Sequence, residues 1–252
     1  MWCINILKSD MQSTAQTREY ALNHISIDSV ILGFDGKDLR VLLIPQRVKV
    51  GEKVLTFWKL PGDLIYVDED FEVAAHRTLS ELTGIHGVSM YQFKTYGSKD
   101  RCTKKDLLWL QQTTGIDVTS IVTTAYVSVA KLDGSMVKIA TKHACEWRAV
   151  SEVGDLAFDH NAILDDAMSF FRKMVNYSPM MLFELLPRKF TILQLRTLFE
   201  LIYQKKLDIR NFQKKLVLMQ YVVPLDEFEE GVRHRAARFY RFDKVIYNKS
   251  RR

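Results

Sequence analysis

A helical segment near the C-terminus carries side chains of the kinds that contact DNA. Phe212, Leu216 and Met219 recur at i, i+4 and i+7, which predicts one core-facing stripe on a helix from Ile209 to about Gln220. The polar residues that point away from this stripe, flank it or lie near its edge are Arg210, Asn211, Gln213, Lys214 and Lys215. Arginine, asparagine and glutamine can bind base edges in the major groove, and lysine can bind a phosphate. A solvent-exposed helix face is the ordinary alternative, so the neighbouring elements must decide.

Those neighbouring elements predict a winged helix-turn-helix. Met180–Leu186 forms a short apolar helix, and Thr191 and Asp208 can cap two further helices. The apolar positions of the middle helix are Leu193, Leu195, Leu198, Leu201 and Ile202. Two strands, 221–224 and 239–242, follow and are joined by a polar loop that holds Arg233, His234 and Arg235. In such a domain the last helix enters the major groove, and the loop residues can contact phosphates or the minor groove.

The charge of the chain is unevenly distributed, which supports a polyanionic partner for the C-terminal part. Residues 178–252 carry 16 lysines and arginines against 8 aspartates and glutamates, a net charge of +8. Of the totals of 36 and 30, this leaves 20 basic and 22 acidic residues in the first 177, a net charge of −2. A basic surface without a ligand remains the alternative, because composition alone does not identify a partner.

A second stretch with chemical potential runs from Leu60 to Ile85. A Pro-Gly turn is followed by acidic residues, of which Asp68 or Asp70 can cap a helix, and Gly84 stands where a helix ends in a left-handed conformation. The apolar positions that we expect on one broad face of this helix are Phe71, Val73, Ala74, Ala75, Leu79 and Leu82.

The spacing in this stretch resembles the Nudix box, in which glycine, five residues, glutamate and seven residues precede Arg-Glu-aliphatic-x-Glu-Glu-x-Gly-aliphatic. The positions that match are Glu69, Arg77, Leu79, Glu81, Gly84 and Ile85. The preceding WKLPG, residues 58–62, is similar to the strand and loop that lead into the box in that family. The resemblance implies an α/β fold, a Nudix α/β/α sandwich with a mixed sheet.

The departures from the box concern its metal-binding carboxylates. In an active Nudix enzyme three carboxylates on one helix face hold a divalent cation, and here those positions are Thr78, Glu81 and Leu82, while Asp63 replaces the first glycine. One glutamate is a poor site for Mg²⁺. We therefore expect no catalytic residues, no metal and no cofactor. The alternative is a Mg²⁺-dependent hydrolase of ADP-ribose or a nucleotide sugar, with Asp68, Asp70 or Glu72 assisting Glu81.

The remaining pattern up to residue 175 fits the same fold. A hairpin is predicted from strands at 24–34 and 39–45, which are joined by Asp-Gly, and further strands are predicted near 88–95, 121–130, 136–139 and 146–150. A helix at 161–175 closes the domain. The segment 102–117 is longer than the loop usual in the family and predicts its own short helix, which lines a pocket, covers it or forms a dimer contact.

From about His24 to Tyr247 the chain resembles the Nudix-related transcriptional regulators, which comprise the NrtR-type repressors of NAD metabolism and the arabinose regulators of Bacteroidetes. The segment DIRNFQKKL, residues 208–216, favours the sugar-regulator branch and hence a role in carbohydrate metabolism. The resemblance divides the chain into a flexible lead-in (1–22), an effector-binding Nudix domain (23–176) and a DNA-binding domain (177–252). It implies a homodimeric repressor of a double-stranded operator, in which the effector shifts two wings out of register with two half-sites.

The resemblance also implies a small-molecule effector, and a pentose, ADP-ribose and a nucleotide sugar all remain open. Candidate ligand-binding residues are Arg47, Trp58, Asp100, Arg101, His143 and His160, although Trp58 can equally be a core residue and His160 a helix cap. The cysteines at 3, 102 and 145 are too far apart for a zinc motif, and no segment is apolar enough to cross a membrane. These features favour the cytoplasm.

Overall fold

The computed structural model describes residues 24–50, 52–115, 117–231 and 236–250. The predicted lead-in and the predicted DNA contacts Arg233, His234 and Arg235 lie outside the described residues. The strands are β1 (His24–Phe34), β2 (Leu39–Val50), β3 (Lys53–Lys59), β4 (Gly62–Leu64), β5 (Met90–Tyr96), β6 (Ile121–Lys131), β7 (Glu146–Ala149), β8 (Phe190–Thr191), β9 (Val222–Phe228) and β10 (Arg238–Phe242). The helices are α1 (Phe71–Thr83), α2 (Lys104–Thr114), α3 (Gly134–Lys142), α4 (His160–Tyr177), α5 (Met180–Leu185), α6 (Ile192–Tyr203), α7 (Ile209–Leu218) and α8 (Lys244–Ser250).

The N-terminal sheet is mixed, as predicted. β1 pairs in parallel with β6 along its whole length, from His24 opposite Ile121 to Phe34 opposite Lys131, and it pairs antiparallel with β2. The strand order is β3-β2-β1-β6-β5, with β4 paired to β1 and β7 paired to β2. β1 is buried on both faces from Ser26 onward, which explains the continuous run of apolar residues and glycine in its second half, from Val30 to Phe34.

The predicted hairpin of β1 and β2 is present, but β2 continues beyond the predicted end at residue 45. It runs to Val50 and pairs with β3 from Ile44 opposite Lys59 to Val50 opposite Lys53. The residues between the predicted hairpin and Trp58 therefore belong to two paired strands, β2 and β3. In sequence, a long hairpin with a tight turn looks the same as two apolar runs joined by a loop, so the pattern alone did not show where the strands end.

Helix α1 begins and ends where the sequence predicts. Of the two candidate caps, Asp70 is the N-cap and accepts a hydrogen bond from the Val73 amide at 2.8 Å, and Gly84 ends the helix at φ 71°. The predicted apolar face is only partly correct, because Phe71 and Val73 are exposed. At about 100° per residue, Val73 lies roughly 160° around the helix from the buried Ala75 and therefore faces solvent. Phe71 is the first residue of the helix.

The strand predicted near 136–139 is wrong, because this segment lies within helix α3. The Asp133 carboxylate caps the helix by accepting hydrogen bonds from the amides of Ser135 and Met136 at 3.0 and 2.9 Å. Met136 and Ala140, four residues apart, pack into the core. A short apolar run fits both periods, so spacing alone does not distinguish a strand from a helix here.

The C-terminal part contains the predicted three helices and hairpin. Thr191 caps α6 through a capping box with Gln194, and Asp208 caps α7 by accepting from the Asn211 amide at 2.9 Å. The structure adds β8, which makes a third strand next to β10, and the terminal helix α8. Leu193, predicted to face the core, is exposed.

The core continues across the predicted domain boundary. Helix α4 continues to Tyr177, past the predicted boundary at residue 176, which leaves only Ser178 and Pro179 before α5. α5 packs against β1 and β6, and α6 packs against α4 and β2. One hydrophobic cluster therefore includes Val30 and Phe171 as well as Leu198 and Phe212. Such a shared core provides a direct path for coupling between the two parts.

Candidate functional site

A cavity of about 320 Å³ lies in the N-terminal part, between the sheet and the segment predicted as an insert. Its walls come from β1, β2, β3, β4, the end of α1, α2 and the first residue of α4. Its volume falls in the range of small-molecule binding sites. Helix α2 forms as predicted, and of the three roles left open for it, the structure shows that it lines the cavity through Trp109 and Leu110.

A buried carboxylate, Asp28, lies in the wall of the cavity. It accepts a hydrogen bond from the Thr123 hydroxyl at 2.8 Å, and the His160 Nε2 atom lies 3.4 Å from its Oδ1 atom. Burial raises the pKa of Asp28, but His160, Lys59 and Thr123 outweigh this effect and lower the pKa to about 2. Asp28 is therefore ionised at neutral pH and can accept hydrogen bonds from a ligand.

The tautomer of His160 follows from the contacts of its two ring nitrogens. The backbone amide of Leu60 donates to the His160 Nδ1 atom at 3.0 Å, so this nitrogen carries no proton. The proton of the neutral ring is then on Nε2 and faces Asp28. Both ring nitrogens are engaged, which fixes the start of α4 to β1 and to the end of β3.

Arg101 also lines the cavity and is held by a carboxylate. Its side chain is only 5% exposed and donates two hydrogen bonds to Asp159, at 3.0 and 2.7 Å. Its Nη2 atom lies 3.8 Å from Asp28. Burial lowers the pKa of Arg101, but its pairing with Asp159 and Asp28 outweighs that effect and raises the pKa overall.

Aromatic rings form another part of the wall. The rings of Trp109 and Phe158 have centroids 5.1 Å apart, and the ring of Phe158 lies 5.3 Å from that of His160. Phe158 has a φ of 57°, an uncommon left-handed conformation for a bulky side chain. Backbone of this kind is concentrated at functional sites. These rings offer a face against which a planar ligand group can stack.

Three charged residues of the cavity, Asp28, Lys59 and Asp63, were not among the predicted ligand-binding residues. The half-buried Lys59 donates to the Gly62 carbonyl at 2.8 Å, and burial lowers its pKa against the opposing effect of Asp28 and Asp63. Asp28 is a lone charge in strand β1, which is buried from Ser26 onward, and that was the signal that could have found it. Lys59 ends the partly exposed strand β3, where a lysine is ordinary and gives no such signal.

Of the six predicted ligand-binding residues, only Arg101 and His160 line the cavity. Arg47 and Asp100 are exposed outside it. Trp58 packs against the core, and the Cζ atom of the Arg148 guanidinium lies 4.6 Å from the centre of the Trp58 ring. His143 is exposed behind the end of α1, with its ring Nδ1 atom 3.0 Å from the Ile139 carbonyl. These four residues belong to the surface or to the packing of other elements.

The acidic residues of the box are engaged by one arginine. Arg77 donates to Glu69 at 2.9 Å, to Glu81 at 3.3 Å and to Asp63 at 3.4 Å. Glu69 and Arg77 form a local ion pair, and its hydrogen bonds lower the pKa of Glu69. Thr78 is buried. In the part of the chain that the structure describes, no three acidic, histidine or cysteine side chains are grouped so that they could hold a metal ion.

Helix α7 presents its polar residues as predicted. Arg210, Asn211, Gln213, Lys214 and Lys215 are all exposed. Phe212 is buried on the opposite side. The ammonium of Lys215 lies 4.5 Å from the centre of the Phe199 ring, which agrees with its expected position nearer the core. Strands β9 and β10 form the base of the wing.

Helix α4 connects the cavity to the C-terminal domain. Its first residue is His160, and near its other end Arg172 donates to Gln204 at 3.3 Å. The Tyr203 hydroxyl donates to Asn176. Both of these contacts are made at the end of α6, the helix that packs beside α7 through Phe199 and Phe212. Direct contacts through α4 and α6 therefore connect the cavity to helix α7.

Comparison with known proteins agrees with this arrangement. A model of the NUDIX domain matches residues 22–167, more than half of the chain, and a model of the NrtR DNA-binding winged helix domain matches residues 182–242. The "ADPR responsive transcriptional repressor NtrR" of Acinetobacter baylyi is 26% identical over 237 residues, which are 92% of this chain and 87% of that protein.

Two solved structures share the fold over most of the chain. One is the crystal structure of Shewanella oneidensis NrtR complexed with a 27mer DNA, which has a TM-score of 0.65 at 23% identity. The match covers 87% of this chain and 93% of the Shewanella chain. A MutT/nudix family protein from Enterococcus faecalis has a TM-score of 0.58 at 23% identity, with coverages of 90% and 89%. Among the described helices, none combines the length and apolarity needed to span a membrane.

These matches confirm the prediction of a DNA-binding transcriptional regulator. The chain belongs to the Nudix domain family, and behind its Nudix domain it carries a winged helix domain of the NrtR DNA-binding type.

Proposed function

We propose that the cavity of the Nudix domain binds a sugar or nucleotide-derived effector, and that its occupancy releases the winged helix domain from an operator. The observation that carries this proposal is that the chain retains a ligand-sized cavity while Arg77 engages the acidic residues of the box. A sensor needs the cavity but not the metal. The chain is accordingly a cytoplasmic repressor without hydrolase activity.

ADP-ribose is the first candidate for the effector. The relative from Acinetobacter baylyi is named as responsive to it, and the chemistry of the cavity suits a compound of this class. A base can stack on Trp109 and Phe158, a hydroxyl can donate to Asp28, and a diphosphate can approach Lys59. The resemblance to sugar regulators makes L-arabinose and a nucleotide sugar the competing ligands.

Thermal shift with ADP-ribose, L-arabinose and UDP-glucose tests the proposal. A ligand at 100 times its dissociation constant stabilises by about 2.7 kcal/mol, which raises Tm by about 5–10 °C for a chain of this size. Lys59→Met, inside the cavity, should reduce the shift, and Lys138→Met on the exposed side of α3 should leave it unchanged. No shift with any of the three ligands would contradict this effector class.

A turnover assay on the purified wild-type chain distinguishes a sensor from an enzyme. We expect no turnover of ADP-ribose or UDP-glucose in Mg²⁺, because Glu69 and Glu81 are paired with Arg77 and the other two carboxylate positions are Thr78 and Leu82. Mg²⁺-dependent cleavage that Glu81→Gln abolishes would instead establish the hydrolase.

Operator binding should take place as a homodimer, with two α7 helices in successive major grooves one helical turn apart. Sedimentation with a duplex that holds one half-site or two tests this arrangement. A monomer that binds one half-site with full affinity would contradict it.

Arg210→Ala should weaken specific operator binding by about 1–3 kcal/mol, or roughly 5- to 150-fold. Arg210 is exposed in the first turn of α7, where an arginine can bind a guanine with two hydrogen bonds. The matched control Arg188→Ala removes the same charge from the exposed segment after α5. Fluorescence anisotropy with specific and scrambled duplexes is the measurement, and an equal effect of both variants would remove the base-reading role of Arg210.

A further inference from the structure

We propose that Val217 and Leu218 form an apolar end to the DNA-reading face of α7 and recognise the methyl group of a thymine. This inference rests on the proposed DNA-binding function and adds to it one position of the operator sequence. It concerns two large apolar side chains that the fold leaves in solvent.

The two residues are among the most exposed apolar side chains that the structure describes. Val217 is 78% exposed and Leu218 is 81% exposed. They follow Lys214 by three and four residues, and Lys214 follows Arg210 by four, so the side chains share the face opposite Phe212. They cover no part of the core. Their exposure on the reading face suggests that a partner covers them.

The charge around the two residues selects the kind of partner. Between Ile209 and Leu218 the sequence contains Arg210, Lys214 and Lys215 and no acidic residue. A second copy that packed the same face here would bring like charges together. A DNA duplex offers phosphates to Lys214 and Lys215 and base edges to the other exposed residues of α7. The surface is therefore complementary to DNA.

The major groove offers one apolar group on its base edges, the C5 methyl of thymine. Valine and leucine cannot form hydrogen bonds with a base, so a methyl contact is the specific interaction open to them. Seven residues from Arg210 to Val217 correspond to about 10 Å of helix, or about three base pairs. The operator should therefore carry a thymine roughly three base pairs from the guanine that Arg210 contacts.

Selection from a pool of duplexes with a randomised central segment tests the predicted thymine preference. The proteins compared are the full-length wild type, Val217→Ala, Leu218→Ala and Val245→Ala. Val245 is also apolar and exposed, but it lies on α8 and serves as the matched control. We expect the wild type and Val245→Ala to select the same sequence. At least one of the two α7 variants should lose the preference at one thymine and retain the guanine.

The methyl group itself is tested by replacing that thymine with deoxyuracil in the selected duplex. Wild-type affinity should fall by about fourfold, the ratio that corresponds to burial of one methyl group, and the affinity of the responsive variant should not change. The inference is overturned if both variants keep the full preference, if deoxyuracil has no effect, or if the variants change only the oligomeric state in sedimentation. Failure of the wild type to enrich any sequence would instead overturn the proposed DNA-binding function.

Discussion

Asp28→Ala is expected to lower the free energy of unfolding by about 3–5 kcal/mol, because removing one partner of a buried ion pair leaves the other charges without compensation. Thr123, His160 and Arg101 all face this carboxylate. The measurement is urea unfolding at pH 7. Asp155→Ala removes the same charge from an exposed position and should change the stability by less than about 0.5 kcal/mol.

The pH dependence of this effect has a definite sign. The pKa of Asp28 in the folded chain is about 2, below its ordinary value of 3.8, so its ionised form is favoured by folding. The stability that it contributes is present above about pH 4 and is lost as the pH falls toward 2. The difference in unfolding free energy between the wild type and Asp28→Asn should shrink by about 2 kcal/mol over that range. A difference that stays constant from pH 5 to 2 would contradict an ionised, paired Asp28.

Phe171→Ala is also expected to cost about 3–5 kcal/mol, because Phe171 is fully buried and its removal leaves a cavity in the core. The core extends from the sheet to α6 and α7, so both parts of the chain should lose stability together. Trp58, Trp109 and Trp147 lie in the Nudix domain and report on it, whereas protease cleavage sites beyond residue 180 report on the winged helix.

Tryptophan fluorescence and protease cleavage together test whether the two domains share one core. In Phe171→Ala both unfolding transitions should move to lower denaturant concentration by the same amount. Phe228→Ala, at an exposed position of β9, is the matched control and should move neither transition appreciably. If only one of the two transitions moves in Phe171→Ala, the two domains are stabilised separately and the proposed route of coupling through the core is wrong.

The elements that the sequence predicts well are those with local signals. Asp70 and Gly84 at the two ends of α1 and Asp208 at the start of α7 act through hydrogen bonds or backbone geometry within a few residues. The strand predicted at 136–139 failed because four residues do not define a period. Such a segment becomes a helix when its cap and its packing partners require it.

The cavity was predictable only in part, for a related reason. Asp28, Thr123 and His160 are brought together across 132 residues by the parallel pairing of β1 with β6 and the return of α4. No local pattern indicates that meeting. Arg101 and His160 were predicted because they lie near positions that line the pocket in the Nudix family, whereas no local pattern marked Asp28 or Lys59 as part of a ligand site.

Residues at the box positions stabilise helix α1 and line the cavity. Arg77 contacts Glu69 and Glu81 and also donates to the Leu64 carbonyl at 2.9 Å, so it fixes the loop before α1 to the helix. Leu82, at a carboxylate position of the box, lines the cavity. Residues that would bind a cation in an enzyme here support the fold and the wall of the pocket.

One titration tests whether occupancy of the cavity controls DNA binding. The affinity of the full-length protein for its selected operator is measured without and with saturating ADP-ribose, in the wild type and in Lys59→Met. We predict a loss of about 5- to 150-fold in the wild type, with a reciprocal loss of ADP-ribose affinity when the operator is bound, and a much smaller loss in Lys59→Met. Operator affinity that is unchanged by an effector bound in the cavity would contradict the claim.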